Sequence, residues 1–207
     1  MRLAIFGGTG HVGALVVDQA LASGHQLQVF VRDRTRIVPA NRRLTVFEGT
    51  LDDGETVAAT LQDTDAVICA LSAGHDVLTR FAEAAIPLMQ DSGPRRIVAL
   101  AGASLRMPGD PKSFRLDLMT FVMRLIPGRM IGDAEAMARQ LAASGLDWTI
   151  ARSANFTDLP ATGRVRAQAG YEMSLRASIP RADVATFLLA AAVEGRFLRE
   201  APMIEAV

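Results

Sequence analysis

Short apolar runs alternate with longer amphipathic stretches along the whole chain. The first apolar run, residues 3–6, contains no polar position. A continuous run of this kind is typical of a strand that is buried on both faces of a parallel sheet. Later runs predict strands at 26–31, 44–48, 65–70, 95–100, 146–152 and 202–205, with a short strand near 171–175.

The amphipathic stretches between these runs predict helices. The first begins near Val12 and ends at Gly24, and Asp53 is positioned to cap a second helix that extends to Leu61. Pro87 lies inside a predicted helix at 75–90, where it should kink or shorten that helix. Further helices are predicted at 112–126, 133–144 and 180–193.

This alternation of strands and helices predicts an α/β protein with a three-layer, doubly wound Rossmann fold and a mainly parallel sheet. We expect a single domain over residues 1–207. Within it, residues 101–132 and 153–180 form the loops on the substrate side, which make a small C-terminal substrate-side region.

Three glycines, Gly7, Gly10 and Gly13, separate the first strand from the first helix at the spacing GxxGxxG. Gly7 permits a tight turn, Gly10 lets backbone N–H groups approach a pyrophosphate, and Gly13 lets the helix pack closely on the strand. A phosphate would then lie at the helix N-terminus, where unpaired N–H groups favour an anion. A plain glycine-rich turn is the alternative, but the strand and helix on either side favour a nucleotide site.

The second strand ends in the sequence Val-Arg-Asp-Arg-Thr-Arg at 31–36. It ends about 20 residues after the glycines, where a dinucleotide fold meets the adenosine ribose. Arg32 and Arg36 favour NADP, because a guanidinium matches phosphate oxygens, whereas Asp33 keeps NAD open as the alternative. A solvated, charged loop without a ligand is the third interpretation.

Composition narrows the class of protein further. Half of the 207 residues are hydrophobic and the formal net charge is zero, which gives no sign of a nucleic-acid or membrane partner. Cys69 is the single cysteine, so no internal disulfide is expected, and no residues have the spacing of metal ligands. Without a recognisable signal peptide, we expect a cytoplasmic protein that is a monomer or homodimer.

Five segments of the chain resemble the atypical short-chain dehydrogenase/reductase group of NAD(P)-binding Rossmann proteins. The most similar members are biliverdin reductase B (flavin reductase) proteins and NmrA-like proteins. The segments are Gly-Gly-Thr-Gly-His-Val-Gly at 7–13, Val-Arg-Asp-Arg-Thr-Arg at 31–36, Asp-Ala-Val-Ile at 65–68, Ser-Gly-Leu-Asp-Trp-Thr-Ile-Ala-Arg at 144–152 and Arg-Ala-Asp-Val-Ala at 181–185. They span nearly the whole chain but do not specify a substrate.

The resemblance implies positions for each part of the cofactor. The glycine turn would hold the pyrophosphate, the two arginines the 2′-phosphate, the segment after the third strand the adenine, and the segment after the fourth the ribose. The ends of the fifth and sixth strands would lie beside the nicotinamide. In that order, the implied cofactor residues are Gly7, Gly8, Thr9, Gly10, His11, Val12; Arg32, Arg36; Thr50, Leu51; Ala70, Leu71, Ser72; and Ala101, Gly102, Arg152, Ser153, Ala154, Asn155.

Two of these positions depart from the family pattern. The family often has Gly-Asp at the adenine position, where this chain has Gly49-Thr50. Biliverdin-reductase-like members place a serine near the nicotinamide, at the position of Gly102 here, and the nearest serine is Ser104. The histidine that such enzymes carry in the following helix is also missing, since 133–144 contains none.

The chain lacks the tyrosine and lysine, four residues apart, that an ordinary short-chain reductase uses to protonate an alkoxide. Its one tyrosine, Tyr171, is followed four residues later by Leu175, and its one lysine is Lys112. Hydride transfer from NAD(P)H to a small, flat, conjugated acceptor of the flavin, quinone or tetrapyrrole type needs mainly two rings held face to face. The apolar side chains of Phe114, Met119 and Met123, all within 112–126, are suited to holding such rings. An ordinary buried helix, which is favoured, and a surface that binds a partner are the alternatives for this stretch.

Three side chains are possible proton donors, and Ser104 and His75 are the two catalytic candidates. A turn hydrogen bond is the alternative role of Ser104, and an exposed position in the first turn of a helix is that of His75. His11 fits a contact with phosphate or solvent better than a catalytic role. The absence of an acid–base pair fits a second hypothesis equally well, a non-catalytic NmrA-like NAD(P) sensor. An open pocket walled by residues 114–126 would favour the enzyme, and a covered nicotinamide or a surface position of that helix would favour the sensor. An epimerase-like enzyme is a weaker third option, because the chain is short for an added substrate domain.

Overall fold

The computed structural model describes residues 1–36, 41–112, 130–170, 173–174 and 176–207. Within these residues, ten strands and five α-helices follow one another. The strands are β1 Arg2–Phe6, β2 Gln26–Val31, β3 Leu44–Glu48, β4 Ala66–Cys69, β5 Arg96–Gly102, β6 Asp147–Ser153, β7 Asn155–Thr157, β8 Val165–Gln168, β9 Ser178–Pro180 and β10 Met203–Ala206. The helices are α1 His11–Ala22, α2 Gly54–Leu61, α3 Val77–Asp91, α4 Met130–Ala143 and α5 Arg181–Glu194.

Eight of the strands form one sheet in the order β3-β2-β1-β4-β5-β6-β10-β8. Every neighbouring pair is parallel except β10 and β8, which are antiparallel. At the centre of the sheet, Ile5 of β1 pairs with Val29 on one side and Ile68 on the other. The strand order reverses between β1 and β4, which is where doubly wound sheets open a crevice for ligands. The predicted α/β Rossmann fold is confirmed.

Two apolar layers explain why the central strands have no polar alternation. On one face, α1 and α5 cover the sheet, and Val16 and Val184 belong to the same buried cluster as Ile5. On the other face lie α2, α3 and α4, where the Phe6 ring packs on Phe30 and Phe81 at centroid distances of 5.1 Å and 4.9 Å. Strands covered on both faces need apolar side chains in both directions.

Most of the predicted elements agree with the structure. β2 and β3 have the predicted bounds, and the Asp53 side chain caps α2 by accepting a hydrogen bond from the Thr56 N–H at 3.1 Å. Pro87 does not shorten α3, which continues to Asp91, and α3 begins at Val77 instead of residue 75.

Other predictions were incomplete or lie outside the described part of the chain. The short strands β7, β8 and β9 were not predicted, because three- and four-residue strands carry too little periodicity to identify. The helix predicted at 112–126 and the strand near 171–175 fall largely outside the described residues. Across the described ranges, no helix has both the length and the apolar character needed to cross a membrane.

The start of α1 is pressed against the turn that precedes it. A Cβ atom at Gly13 would lie 2.0 Å from the Gly7 carbonyl oxygen and 2.7 Å from the Gly7 carbonyl carbon. Both of these atoms belong to the backbone, so no side chain can move aside to relieve the clash. The absence of a side chain at residue 13 is therefore what allows α1 to begin this close to the end of β1.

Gly13→Ala should lower the free energy of unfolding by about 1–3 kcal/mol, because the added methyl group overpacks a rigid backbone contact. Gly54→Ala is the matched control, since Gly54 is the first residue of α2 and a Cβ there meets nothing within 4 Å. That control should leave stability unchanged or raise it by about 0.4–1 kcal/mol. Urea unfolding measures both variants, and equal stability of the two would contradict this explanation of the turn.

Candidate functional site

A cavity of about 340 Å³ opens where the strand order reverses, beyond the carboxyl ends of β1, β2 and β4. Its wall comes from the glycine turn, the end of β2 with the following 3₁₀ turn, the segments after β3 and β4, and the first turn of α3. The lining residues are Gly7, Thr9, Gly10, Phe30, Val31, Arg32, Arg36, Thr50, Leu51, Asp52, Ala70, Leu71, Ser72, Val77 and Arg80.

The glycine turn forms one end of this cavity with bare backbone. Gly7 has φ +88°, and a Cβ on it would lie 2.7 Å from the carbonyl carbon and oxygen of Ala70. Gly10 is the N-cap of α1, and neither a capping side chain among the described residues nor an acidic residue in the first turn satisfies the helix start. The first N–H groups of an α-helix have no partner inside the helix, so this end is suited to an anion.

Arginines form the other end of the cavity. Arg32 and Arg36 both line it, whereas Asp33, between them, does not. The Asp33 carboxylate instead accepts hydrogen bonds from the Thr35 hydroxyl at 2.5 Å and the Thr35 N–H at 2.9 Å. These two bonds hold the pKa of Asp33 below its usual value, and the bond from the hydroxyl has the larger effect. The acidic side chain is thus engaged within its own turn, and the cavity end is electropositive.

Arg80 and Asp52 add an ion pair to the cavity wall that was not expected from the sequence. Arg80 lies on α3 and Asp52 follows β3, and the guanidinium donates to the carboxylate. This hydrogen bond raises the pKa of Arg80. The local sequence indicates only an ordinary loop residue at Asp52, and nothing in it points to a partner 28 residues away.

Arg152 does not extend into this cavity. Its side chain is buried and donates to the Ala201 and Leu105 carbonyl oxygens at 2.9 Å and 3.0 Å. It also forms a two-pronged ion pair with Asp110, which accepts a further bond from the Met107 N–H at 2.8 Å. Burial raises the pKa of Asp110, but Arg152 and the Met107 N–H outweigh that effect, so the pKa is lowered. The guanidinium holds the loop after β5 against β6, which leaves only the backbone of residue 152 for the cofactor contact that the resemblance implies.

The remaining predicted positions lie at the ends of β5 and β6 or on the surface. Gly102 lies near Ser104, since a Cβ at residue 102 would be 3.6 Å from the Ser104 Oγ, and Ser104 is half-buried. His75 is exposed and has φ +53° in the loop before α3, so the structure places it outside the helix that the sequence predicted it to begin. His11 is also exposed, and Asn155 donates from Nδ2 to the Ala177 carbonyl oxygen at 3.3 Å.

The structure therefore brings some of the predicted site residues together in the cavity wall, whereas the others lie outside it. The positions assigned to 2′-phosphate, adenine and ribose all line the cavity together with Gly7, Thr9 and Gly10. Gly8, His11 and Val12 belong to the same turn without lining the cavity, and the predicted nicotinamide positions 101–102 and 152–155 lie outside its lining. The catalytic candidates Ser104 and His75 are also outside it.

Metal and thiol chemistry have no evident location in the described part of the chain. No group of three or more His, Cys, Asp or Glu side chains there is arranged to hold a metal ion. Cys69 is completely buried at the end of β4, and burial raises the pKa of its thiol to about 12. A thiol with so high a pKa forms very little thiolate at neutral pH and is chemically inert.

Solved structures of several bacterial proteins share this fold. ChuY from Escherichia coli O157:H7, described as an anaerobillin reductase, is 20% identical with a TM-score of 0.82 and covers 100% of this chain and 97% of its own. A short-chain dehydrogenase/reductase from Veillonella parvula DSM 2008, solved in complex with NADP, is 17% identical with a TM-score of 0.80 and coverages of 99% and 94%. The oxidoreductase ylbE from Lactococcus lactis is 19% identical with a TM-score of 0.79 and coverages of 100% and 91%.

The sequence itself matches a family model described as NAD(P)H-binding over residues 7–194. This match begins at the first glycine of the turn and ends at the last residue of α5. It confirms the NAD(P)-binding Rossmann family that the sequence predicted. The chain belongs to the NAD(P)H-binding family.

Proposed function

We propose that this protein is an NADPH-dependent reductase that passes hydride to a flat, conjugated acceptor of the flavin, quinone or tetrapyrrole type. The observation that carries the proposal is the cavity at the strand reversal, with the uncapped α1 at one end and Arg32 and Arg36 at the other. This arrangement presents neutral backbone donors to a diphosphate and two cations to a further phosphate.

Within this proposal, the described residues divide the cofactor between them. The N–H groups at the start of α1 bind the diphosphate. A Cβ at Gly10 would lie 3.3 Å from the Gly7 carbonyl oxygen and would narrow this binding site. Leu51 and Thr50 border the adenine, and Leu71 and Ser72 border the ribose. The engagement of Asp33 by Thr35 supports NADP over NAD, because an NAD site needs a free carboxylate for the ribose 2′-hydroxyl.

The nicotinamide and the acceptor are placed by this proposal beside the ends of β5 and β6, between the substrate-side loops 101–132 and 153–180. Bound NAD(P)H supplies the hydride, while the protein orients the two rings and excludes water from between them. A conjugated acceptor spreads the incoming charge over its rings, so a proton from water suffices and no Tyr–Lys pair is required. The apolar side chains predicted as ring walls, Phe114, Met119 and Met123, lie outside the described residues.

The wild-type protein should bind NADPH more tightly than NADH. Arg32→Gln and Arg36→Gln should each weaken NADPH binding about 10- to 100-fold, because each removes a charge-assisted hydrogen bond, and should leave NADH binding nearly unchanged. Arg34→Gln is the matched control, since Arg34 lies in the same exposed turn but outside the cavity lining. Fluorescence titration gives the dissociation constants. A wild-type preference for NADH, or an equal loss with Arg34→Gln, would refute these roles.

A panel of acceptors tests the reaction. Purified protein with NADPH should reduce at least one of FMN, a quinone or a linear tetrapyrrole, and should leave simple aldehydes and ketones unreduced. Absorbance at the reduced nicotinamide band follows the turnover. Tight NADPH binding with no oxidation by any acceptor would overturn the reductase assignment and would instead support the NmrA-like sensor.

A further inference from the structure

Asp133, in the first turn of α4, is a buried carboxylate that lies outside the cavity lining. Its hydrogen-bond partners lie at and just before the start of α3, 54–59 residues earlier in the sequence. Its Oδ2 accepts from the Gly74 N–H at 2.8 Å and the Leu78 N–H at 3.1 Å. Its Oδ1 accepts from the Thr79 N–H and the Thr79 hydroxyl, each at 2.8 Å. Asp133 therefore caps α3 from a different helix.

The segment that Asp133 caps has an unfavourable backbone conformation. His75 and Asp76 are consecutive residues with φ +53° and +58°, a region that residues with side chains rarely adopt. Asp76 is the N-cap residue of α3, and its own side chain makes no capping hydrogen bond. The bonds from Asp133 to Gly74 and to Leu78 and Thr79 bracket this pair on both sides. Strained conformations persist only where surrounding contacts hold them. Here the Val77 N–H donates to the Gly74 carbonyl oxygen at 3.2 Å, and Asp133 adds the side-chain contacts on both sides of the pair.

The bracketed segment is also part of the cavity wall. Leu71 and Ser72 line the cavity immediately before it, and Val77 and Arg80 line the cavity immediately after it. Residues 73–76 therefore connect two parts of the cavity wall in the sequence. Asp133 accepts hydrogen bonds from both ends of this connecting segment and does not itself line the cavity.

We propose that Asp133 is a positioning residue of the cofactor site, which fixes the shape of the ribose-side wall by serving as a built-in anion for the N-terminus of α3. This inference rests on the proposed function, since it concerns the binding of NADPH in this cavity. It also explains how two helix N-termini border one crevice while one diphosphate site remains. The α3 terminus is already neutralised by Asp133, whereas the α1 terminus is open.

The ionisation of Asp133 supports this role. Burial raises the pKa of the carboxyl, but the N–H donors of Gly74, Thr79 and Leu78 and the Thr79 hydroxyl together outweigh burial. The pKa is therefore below its usual value, and the group is a full anion at neutral pH. A charged acceptor forms stronger hydrogen bonds to the helix N-terminus than a neutral one.

The decisive experiment compares Asp133→Asn with Asp183→Asn. Asp183 is an equally buried carboxylate, 1% exposed like Asp133, and it accepts from the Thr162 N–H, the Thr162 hydroxyl and the Gly163 N–H, none of which borders the cavity. Both variants lose a charged acceptor in a buried site, so both should lower the urea midpoint. Asp133→Asn alone should raise the dissociation constant of NADPH, by about tenfold, which corresponds to one charge-assisted hydrogen bond.

Two further variants keep the experiment informative if Asp133→Asn does not fold. Thr79→Val removes one donor to Asp133 and should raise the NADPH dissociation constant severalfold, and Thr79→Ser, which keeps the hydroxyl, should restore it. If the wild type binds NADPH, equal NADPH dissociation constants for Asp133→Asn and Asp183→Asn would overturn this inference but not the proposed function. Equal constants for Thr79→Val and Thr79→Ser would do the same. A wild-type protein that fails to bind NADPH would overturn the proposed function, and this inference with it.

Discussion

The structure depends on how α1 begins at the point where the sheet reverses its strand order. A helix start leaves backbone N–H groups without partners, and burying such groups unpaired is costly. Here the approach is so close that a Cβ at residue 13 would meet the Gly7 carbonyl oxygen at 2.0 Å. No described side chain caps that start. The sequence thus keeps a set of donors open at the edge of a cavity, where an anionic ligand can satisfy them.

Two other helix starts and one buried arginine find hydrogen-bond partners within the protein, in contrast to the open start of α1. Asp53 caps α2 through Thr56, and Asp133 caps α3 through Gly74, Leu78 and Thr79. At the opposite end of the sheet, Arg96 donates to the carbonyl oxygens of Ala191 and Arg196 near the end of α5. The protein uses its own charged side chains at these places, whereas no described side chain caps the start of α1.

Local patterns in the sequence predicted much of the fold because their causes are local. The short strand-forming segments of β2 and β3 have the bounds that their local sequence predicted, and Asp53 is three residues from the N–H that it caps. The glycine spacing likewise predicted the turn and its contact with the helix. In contrast, nothing local to Asp110 or Asp133 indicates that each is buried against a segment more than 40 residues away.

The same distinction explains the parts of the candidate site that were and were not predicted. Arg32, Arg36 and Ser72 follow strand ends, so their presence at one edge of a parallel sheet can be inferred from strand order alone. The resemblance assigned Arg152 to the nicotinamide through its position at the end of β6. It carried no information about the side chain, which packs against Asp110. The Arg80–Asp52 pair could not be predicted either, because it depends on the contact between α3 and the segment after β3 in the folded protein.

The most direct measurement of whether α1 binds the diphosphate is a crystal structure of the protein grown with NADP. We predict that diphosphate oxygens lie within hydrogen-bonding distance of the His11 and Val12 N–H groups, with the α1 start otherwise unchanged. A diphosphate bound elsewhere would contradict this role of the helix start. So would a crystal grown at saturating NADP in which no nucleotide is bound and the protein's own side chains close the start of α1.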